Sequence, residues 1–114
     1  KREGIGMSEV IRFGSVSRAD GEEGYQTYKM LHSAPFEGVN EMIKTCNLRN
    51  YSIFYYGGYL FSYYEYVGDD YEADMAKMAA DPKTQEWWAV VVPCMRPLTD
   101  DGPWVDMECL YHLD

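Results

Sequence analysis

The stretch NYSIFYYGGYLFSYYEYV, residues 50–67, decides the fold. Two runs dense in Tyr, Phe, Ile and Val flank Gly57-Gly58. Aromatic and β-branched side chains suit a pleated, half-buried surface. Two consecutive glycines supply the positive φ that a tight primed turn needs. The pattern predicts an antiparallel hairpin with strands over 50–56 and 59–67.

Upstream of the hairpin, residues 10–16 are short and partly β-branched and read as a first strand. Turn residues 18–21 follow, then a helical pattern over 22–32 with Tyr25, Tyr28 and His32 on one face. Pro35 ends this helix near Ala34, because the residue before a proline is pushed toward extended geometry. A second helix is expected over 37–45, with Asn47 as its stop.

Downstream, Asp69-Asp70 reads as an N-cap for a helix over 71–80. Asp81-Pro82 restarts the helix, since Asp caps well and Pro suits the first turn. That second helix runs over 83–92, carries Trp87-Trp88 and is stopped by Pro93. A polar loop over 96–103 leads to a final strand over 104–113.

The order strand, helices, hairpin, helices, strand predicts an α+β fold: a ferredoxin-like antiparallel sheet with helices on one face. The other face of a Tyr-rich sheet needs a cover, and a second identical sheet is the natural one. A homodimer packed sheet on sheet, of the dimeric α/β barrel type, is therefore expected. The chain's 114 residues fit one domain, placed at 10–114, with 1–9 an irregular lead-in or a vector-derived remnant.

Nineteen acidic against ten basic residues give a net charge of −9. That balance disfavours nucleic acid and anionic lipid as partners. No apolar run approaches the ~18 residues that span a bilayer, and the first residues lack the apolar core of a signal peptide. The three cysteines, Cys46, Cys94 and Cys109, have no CxxC spacing. They fit a reducing compartment, and a cytoplasmic location is expected. The two histidines, His32 and His112, lie far apart without a zinc-ligand pattern, and no phosphate-cradling or serine-hydrolase motif occurs. Neither a metal nor a cofactor is expected.

What remains is a set of residues suited to a neutral, sugar-like ligand. Tyr28 and His32 are four apart and converge on one helical face. Spacing alone leaves two readings open: a proton-transfer or hydrogen-bonding pair in a pocket, or a partly buried His beside a core Tyr. Trp87 and Trp88 are adjacent, so on a helix they point about 100° apart. One should pack in the core while the other lines a pocket or an interface.

Several motifs then line up in order: YKMLH at 28–32, RNYSIF at 49–54, YEYVGDD at 64–70, EADMAKMAADP at 72–82, TQEWW at 84–88, and Met107-Glu108 with YHLD at 111–114. In this order and spacing the chain, over roughly residues 10 to 114, resembles the L-rhamnose mutarotases, which interconvert the α and β anomers of that sugar. The resemblance implies a dimeric ferredoxin-like sandwich with terminal segments exchanged or interlocked. It implies that His32 transfers the proton and that Tyr28, Trp87 and Trp88 line the sugar site. Phe36 and Asn50 join them as expected substrate-binding residues. The chain departs from many relatives in having Phe36-Glu37 where they carry Trp-Pro, which bears on sugar preference.

Ring opening and closure of an aldose need only general acid–base catalysis, consistent with the residues named. Two rival readings stand beside it. One is a monooxygenase-like enzyme of the same dimeric α+β architecture acting on an aromatic substrate. The other is a sugar-binding dimer without chemistry.

Overall fold

The structure is a computed structural model and describes residues 9–114. The expectation of a lead-in over 1–9 falls, except for Glu9, outside the described residues. The elements run β1 (Ile11–Arg18), α1 (Gly21–Ser33), α2 (Val39–Thr45), β2 (Leu48–Tyr56), β3 (Tyr59–Tyr66), α3 (Tyr71–Ala79), α4 (Pro82–Val91), a 3-10 turn (Val92–Cys94) and β4 (Val105–Met107). The four strands form one antiparallel sheet in the order β2-β3-β1-β4. This is the ferredoxin-like arrangement expected from the sequence, and it makes β2 and β4 the edges.

Local chemistry sets the boundaries. Gly57 and Gly58 take φ 59 and 93, and Tyr56 pairs directly with Tyr59 across them, as a two-residue primed turn requires. The Asp70 carboxylate accepts from Ala73 N–H at 3.1 Å and starts α3. The Asp81 carboxylate accepts from both the backbone N–H and the hydroxyl of Thr84, each at 2.9 Å. Pro82 follows as the first residue of α4, where a missing N–H costs nothing. The helix expected over 37–45 begins at Val39, because Gly38 at φ 92 turns the chain into it. Asn47, at φ 68, leaves α2 through the left-handed region.

The helices pack on the sheet face carrying Ser15, Ser17, Leu60, Ser62 and Tyr66, all buried. One apolar cluster gathers Tyr28, Val39, Leu60, Trp87 and Val91; the other gathers Cys46, Leu48, Tyr66 and Met78. Between β3 and α3, Gly68 sits where a Cβ would come within 2.5 Å of the Tyr66 hydroxyl. Only glycine fits there. The Tyr66 hydroxyl in turn donates to Asp74 at 2.6 Å and accepts from Asp70 N–H at 2.9 Å.

The final strand is shorter than expected. Only Val105–Met107 pair, against Gly14–Val16 of β1. The residue types over 104–113 read as a strand, but they cannot provide a pairing partner. Beyond Met107 the strand pairing with β1 ends, and Leu110 is 86% exposed, while Asp114 returns to Arg12 of β1 at 3.4 Å. Among the described residues no helix is long and apolar enough to cross a membrane. The cysteines are free, two buried and Cys109 exposed.

Candidate active site

α1 presents Tyr25, Tyr28 and His32 toward the sheet edge formed by β2. Tyr28 is 5% exposed and belongs to the core. Its ring stacks on His32, centroids 4.2 Å apart at 28°. The His32 Nδ1–H donates to the Tyr28 carbonyl oxygen at 2.8 Å. A carbonyl can only accept, so the proton sits on Nδ1 and the neutral ring keeps Nε2 as its free base. The edge of Trp87 meets His32 at 5.1 Å and 69°, and Phe36 meets Trp87 at 5.1 Å and 76°. His32 is thus fixed by its own helix on one side and by α4 on another.

An open cleft of about 300 Å³ lies between α1 and β2, lined among others by Tyr25, Tyr28, Lys29, His32, Ile53 and Tyr55. Tyr25 stacks on Tyr55 at 3.7 Å and closes one end. Lys29 Nζ stands 5.9 Å from the Tyr25 ring centre. Burial, with smaller contributions from the neighbouring Tyr51 and Cys94, pushes the Tyr28 phenol far above its usual range. Tyr28 therefore stays protonated, a hydroxyl able to donate a hydrogen bond.

A second cleft of about 280 Å³ lies at the hairpin end, beside Arg18, Gly57 and Arg96. Its cations are already engaged. Arg18 Nη2 donates to the Pro97 carbonyl at 2.7 Å, and Arg96 Nε faces the Asp20 carboxylate at 3.6 Å. This hollow ties the chain after α4 to the end of β1, and it holds none of the expected site residues.

Tyr28, His32, Trp87 and Phe36 are thus brought together. Trp87, 7% exposed, stands behind His32 rather than on the cleft wall, while Trp88 is 40% exposed on the outer side of α4. The 100° separation of adjacent helical residues divides the pair in this way. Asn50 is directed elsewhere: its Nδ2 donates to Glu65 Oε1 at 2.9 Å. Its neighbour Tyr51 instead turns toward the helices, its ring 5.2 Å from that of Tyr64. Tyr51 as a whole is 41% exposed, but desolvation at its hydroxyl end is the main cause raising the phenol, followed by the nearby Tyr71. Tyr51 is a residue the sequence reading missed. The signal was there, because Asn within a β-rich run is among the few residues that tolerate positive φ and so marks a bulge.

Within the described residues no group of three or more His, Cys, Asp or Glu side chains could hold a metal ion. The buried Ser17 hydroxyl, on the sheet beneath the helices, has no protein partner.

Known proteins match this sequence and this fold. A family model described as L-rhamnose mutarotase matches residues 12–113. The L-rhamnose mutarotase of Bacillus subtilis (strain 168) is 31% identical over 96 residues, covering 82% of this chain and 89% of that protein. The crystal structure of an L-rhamnose mutarotase from Formosa agariphila superposes with a TM-score of 0.71 at 20% identity, over 91% of this chain and 99% of that one. Tetracenomycin F2 cyclase from Streptomyces glaucescens, a type-II polyketide cyclase, superposes with a TM-score of 0.67 at 17% identity, over 91% and 97%. At these identities the structural likenesses are of the fold.

Proposed function

The chain belongs to the L-rhamnose mutarotase family, a family of isomerases, and on that premise we propose that it interconverts the α and β anomers of L-rhamnose or a similar six-carbon or deoxy aldose. The observation that carries this reading is His32 in the cleft, with Nδ1 committed to the Tyr28 carbonyl and Nε2 left as a base. Nε2 takes the proton of the anomeric hydroxyl. The O1–H electrons form the C1=O bond, the C1–O5 electrons pass to the ring oxygen, and the imidazolium returns the proton to that oxygen. Rotation about C1–C2 turns the other carbonyl face to O5, and the same steps in reverse close the ring. No net proton is gained or lost, so one histidine suffices as acid and base.

The Tyr28 hydroxyl, kept protonated by burial, orients a sugar oxygen, and Tyr51 beside it is a second hydroxyl for the same task. Trp87 and Phe36 brace the imidazole from the α4 side. The rings of Tyr25 and Tyr55, which line the cleft, offer apolar faces for the C–H side of the sugar. Trp88, more exposed, is the family pair's outer member.

The open sheet face supports self-association. Tyr56 and Phe61 lie on the side away from the helices, and the C-terminal residues Leu110, Tyr111 and Leu113 are exposed. Arg12 Nε is buried and unpartnered. A second copy packed sheet on sheet would cover this surface, and sedimentation equilibrium would then give twice the chain mass.

Saturation transfer between the anomeric protons of L-rhamnose tests the activity. Exchange accelerated by catalytic amounts of protein supports it. Line broadening without exchange indicates a binder, and no response indicates a different substrate. L-fucose and L-lyxose run in parallel would report how Phe36 affects sugar preference.

A further inference from the structure

Arg49 pairs with Glu65 and Ser52 with Tyr63, so Asn50 and Tyr51 together face the single residue Tyr64. Two residues against one make a β-bulge, a feature that re-aims side chains. Asn50 takes φ 53, in the left-handed region that Asn tolerates better than most residues. Strict alternation from the buried Leu48 would place Asn50 under the helices and Tyr51 on the open face. The extra residue reverses that assignment. Tyr51 lies against Tyr64 on the helix side of the sheet, partly exposed at the β2 edge, and Asn50 bonds to Glu65 on the open face at 2.9 Å.

Glu65 is itself held, since its Oε2 accepts from the Tyr63 hydroxyl at 2.8 Å. The hydrogen bonds from Asn50 first and Tyr63 second hold its carboxyl below the usual range, so it is an anion at neutral pH. An amide donating to a fixed carboxylate is a charge-assisted bond, among the stronger ones a side chain can make.

We infer that Asn50 is a positioning residue: anchored to Glu65, it holds the β2 bulge that turns Tyr51 to the helix side of the sheet, where its phenol neighbours that of Tyr28 next to the cleft. The inference rests on reading that cleft as the sugar site. Asn50 itself acts from the opposite side of the sheet and reaches the sugar only through Tyr51.

Asn50→Ala should lower kcat/KM for anomer exchange roughly 2- to 10-fold, the worth of the one hydroxyl contact that Tyr51 supplies. Glu65→Gln keeps an oxygen that accepts from Asn50 and should retain most of the activity. The decisive variant is Asn50→Ala combined with Tyr51→Phe, which should be no slower than the slower single variant, because both remove the same contact. Losses that multiply, or an Asn50→Ala protein with wild-type kcat/KM, would overturn the inference. If Asn50→Ala fails to fold, Asn50→Gly serves instead, since glycine keeps the positive φ without the amide. A readout without sugar separates this inference from the proposed activity. The Tyr51 ring resonances, assigned by their loss in Tyr51→Phe, should shift in the Asn50 variant. If wild type exchanges no anomers, the activity assignment falls and the ring shift still decides the positioning. Unmoved Tyr51 resonances overturn it.

Discussion

The imidazole of His32 lies 4.2 Å from the Tyr28 ring, centroid to centroid, while its Nδ1–H donates 2.8 Å back to the Tyr28 carbonyl. One four-residue helical spacing therefore fixes the plane, the tautomer and the direction of the base. This fixation yields a spectroscopic expectation. Nitrogen-15 spectra of the free protein at alkaline pH should show Nδ1 of His32 protonated and Nε2 bare. A proton on Nε2 would contradict the assignment of that atom as the base.

Tyr28→Phe tests the hydroxyl without emptying the core. The ring remains to stack on His32, so stability should change little. A lost neutral hydrogen bond corresponds to about 0.5–1.5 kcal/mol. Anomer exchange should accordingly slow by roughly 2- to 10-fold in kcat/KM. Steady-state exchange rates together with thermal melts separate this from a general loss of fold.

Gly68→Ala should destabilise the domain. The new Cβ would stand 2.5 Å from the Tyr66 hydroxyl and 2.6 Å from Asn47 Nδ2. Both of those groups are bonded to Asp74, so neither can move without breaking a bond. Forcing a methyl into such a site costs typically about 1–3 kcal/mol. Urea unfolding measures it, and wild-type stability in this variant would show that the cluster yields easily.

The same cluster sets a pH dependence. Asp74 accepts from the Tyr66 hydroxyl and from Asn47 Nδ2, which hold its carboxyl below the usual range; Lys77 adds a smaller effect. A carboxyl whose folded-state pKa is depressed stabilises the fold fully above its unfolded value, ~3.9, and loses that stabilisation as pH falls through the folded value. Tyr66→Phe removes the largest cause, so stability at neutral pH should fall and its further decline below about pH 4 should be shallower. Denaturant unfolding at neutral and acid pH measures both. A variant with the same acid slope as wild type would show that Asp74 is not the group responsible.

Much of this was legible in the sequence because it depends on local chemistry. Gly57-Gly58, Asp70 and Asp81 each determine a turn or a cap through their own backbone or side chain, and each does so in the structure. The Tyr28–His32 pair needed only helical geometry. The bulge at Asn50 escaped because one extra residue leaves composition and alternation almost unchanged while reversing the face of Tyr51. Which tryptophan faces inward depends on how α4 lies over α1, a tertiary fact that adjacency alone cannot supply. The overlong final strand has the same origin. The residues after Met107 have a strand-like composition, yet pairing requires a neighbour, and β1 supplies one only for Val105–Met107.

The central claim is that His32 moves the proton between the anomeric and ring oxygens. Saturation transfer between the two anomeric protons of L-rhamnose, run with wild type and with His32→Ala at equal concentration, tests it most directly. A single well-placed acid–base group is worth roughly 10²–10⁴ in rate. The variant should keep its fold by circular dichroism and lose exchange by about that factor. A folded His32→Ala protein that equilibrates the anomers as fast as wild type would contradict the account.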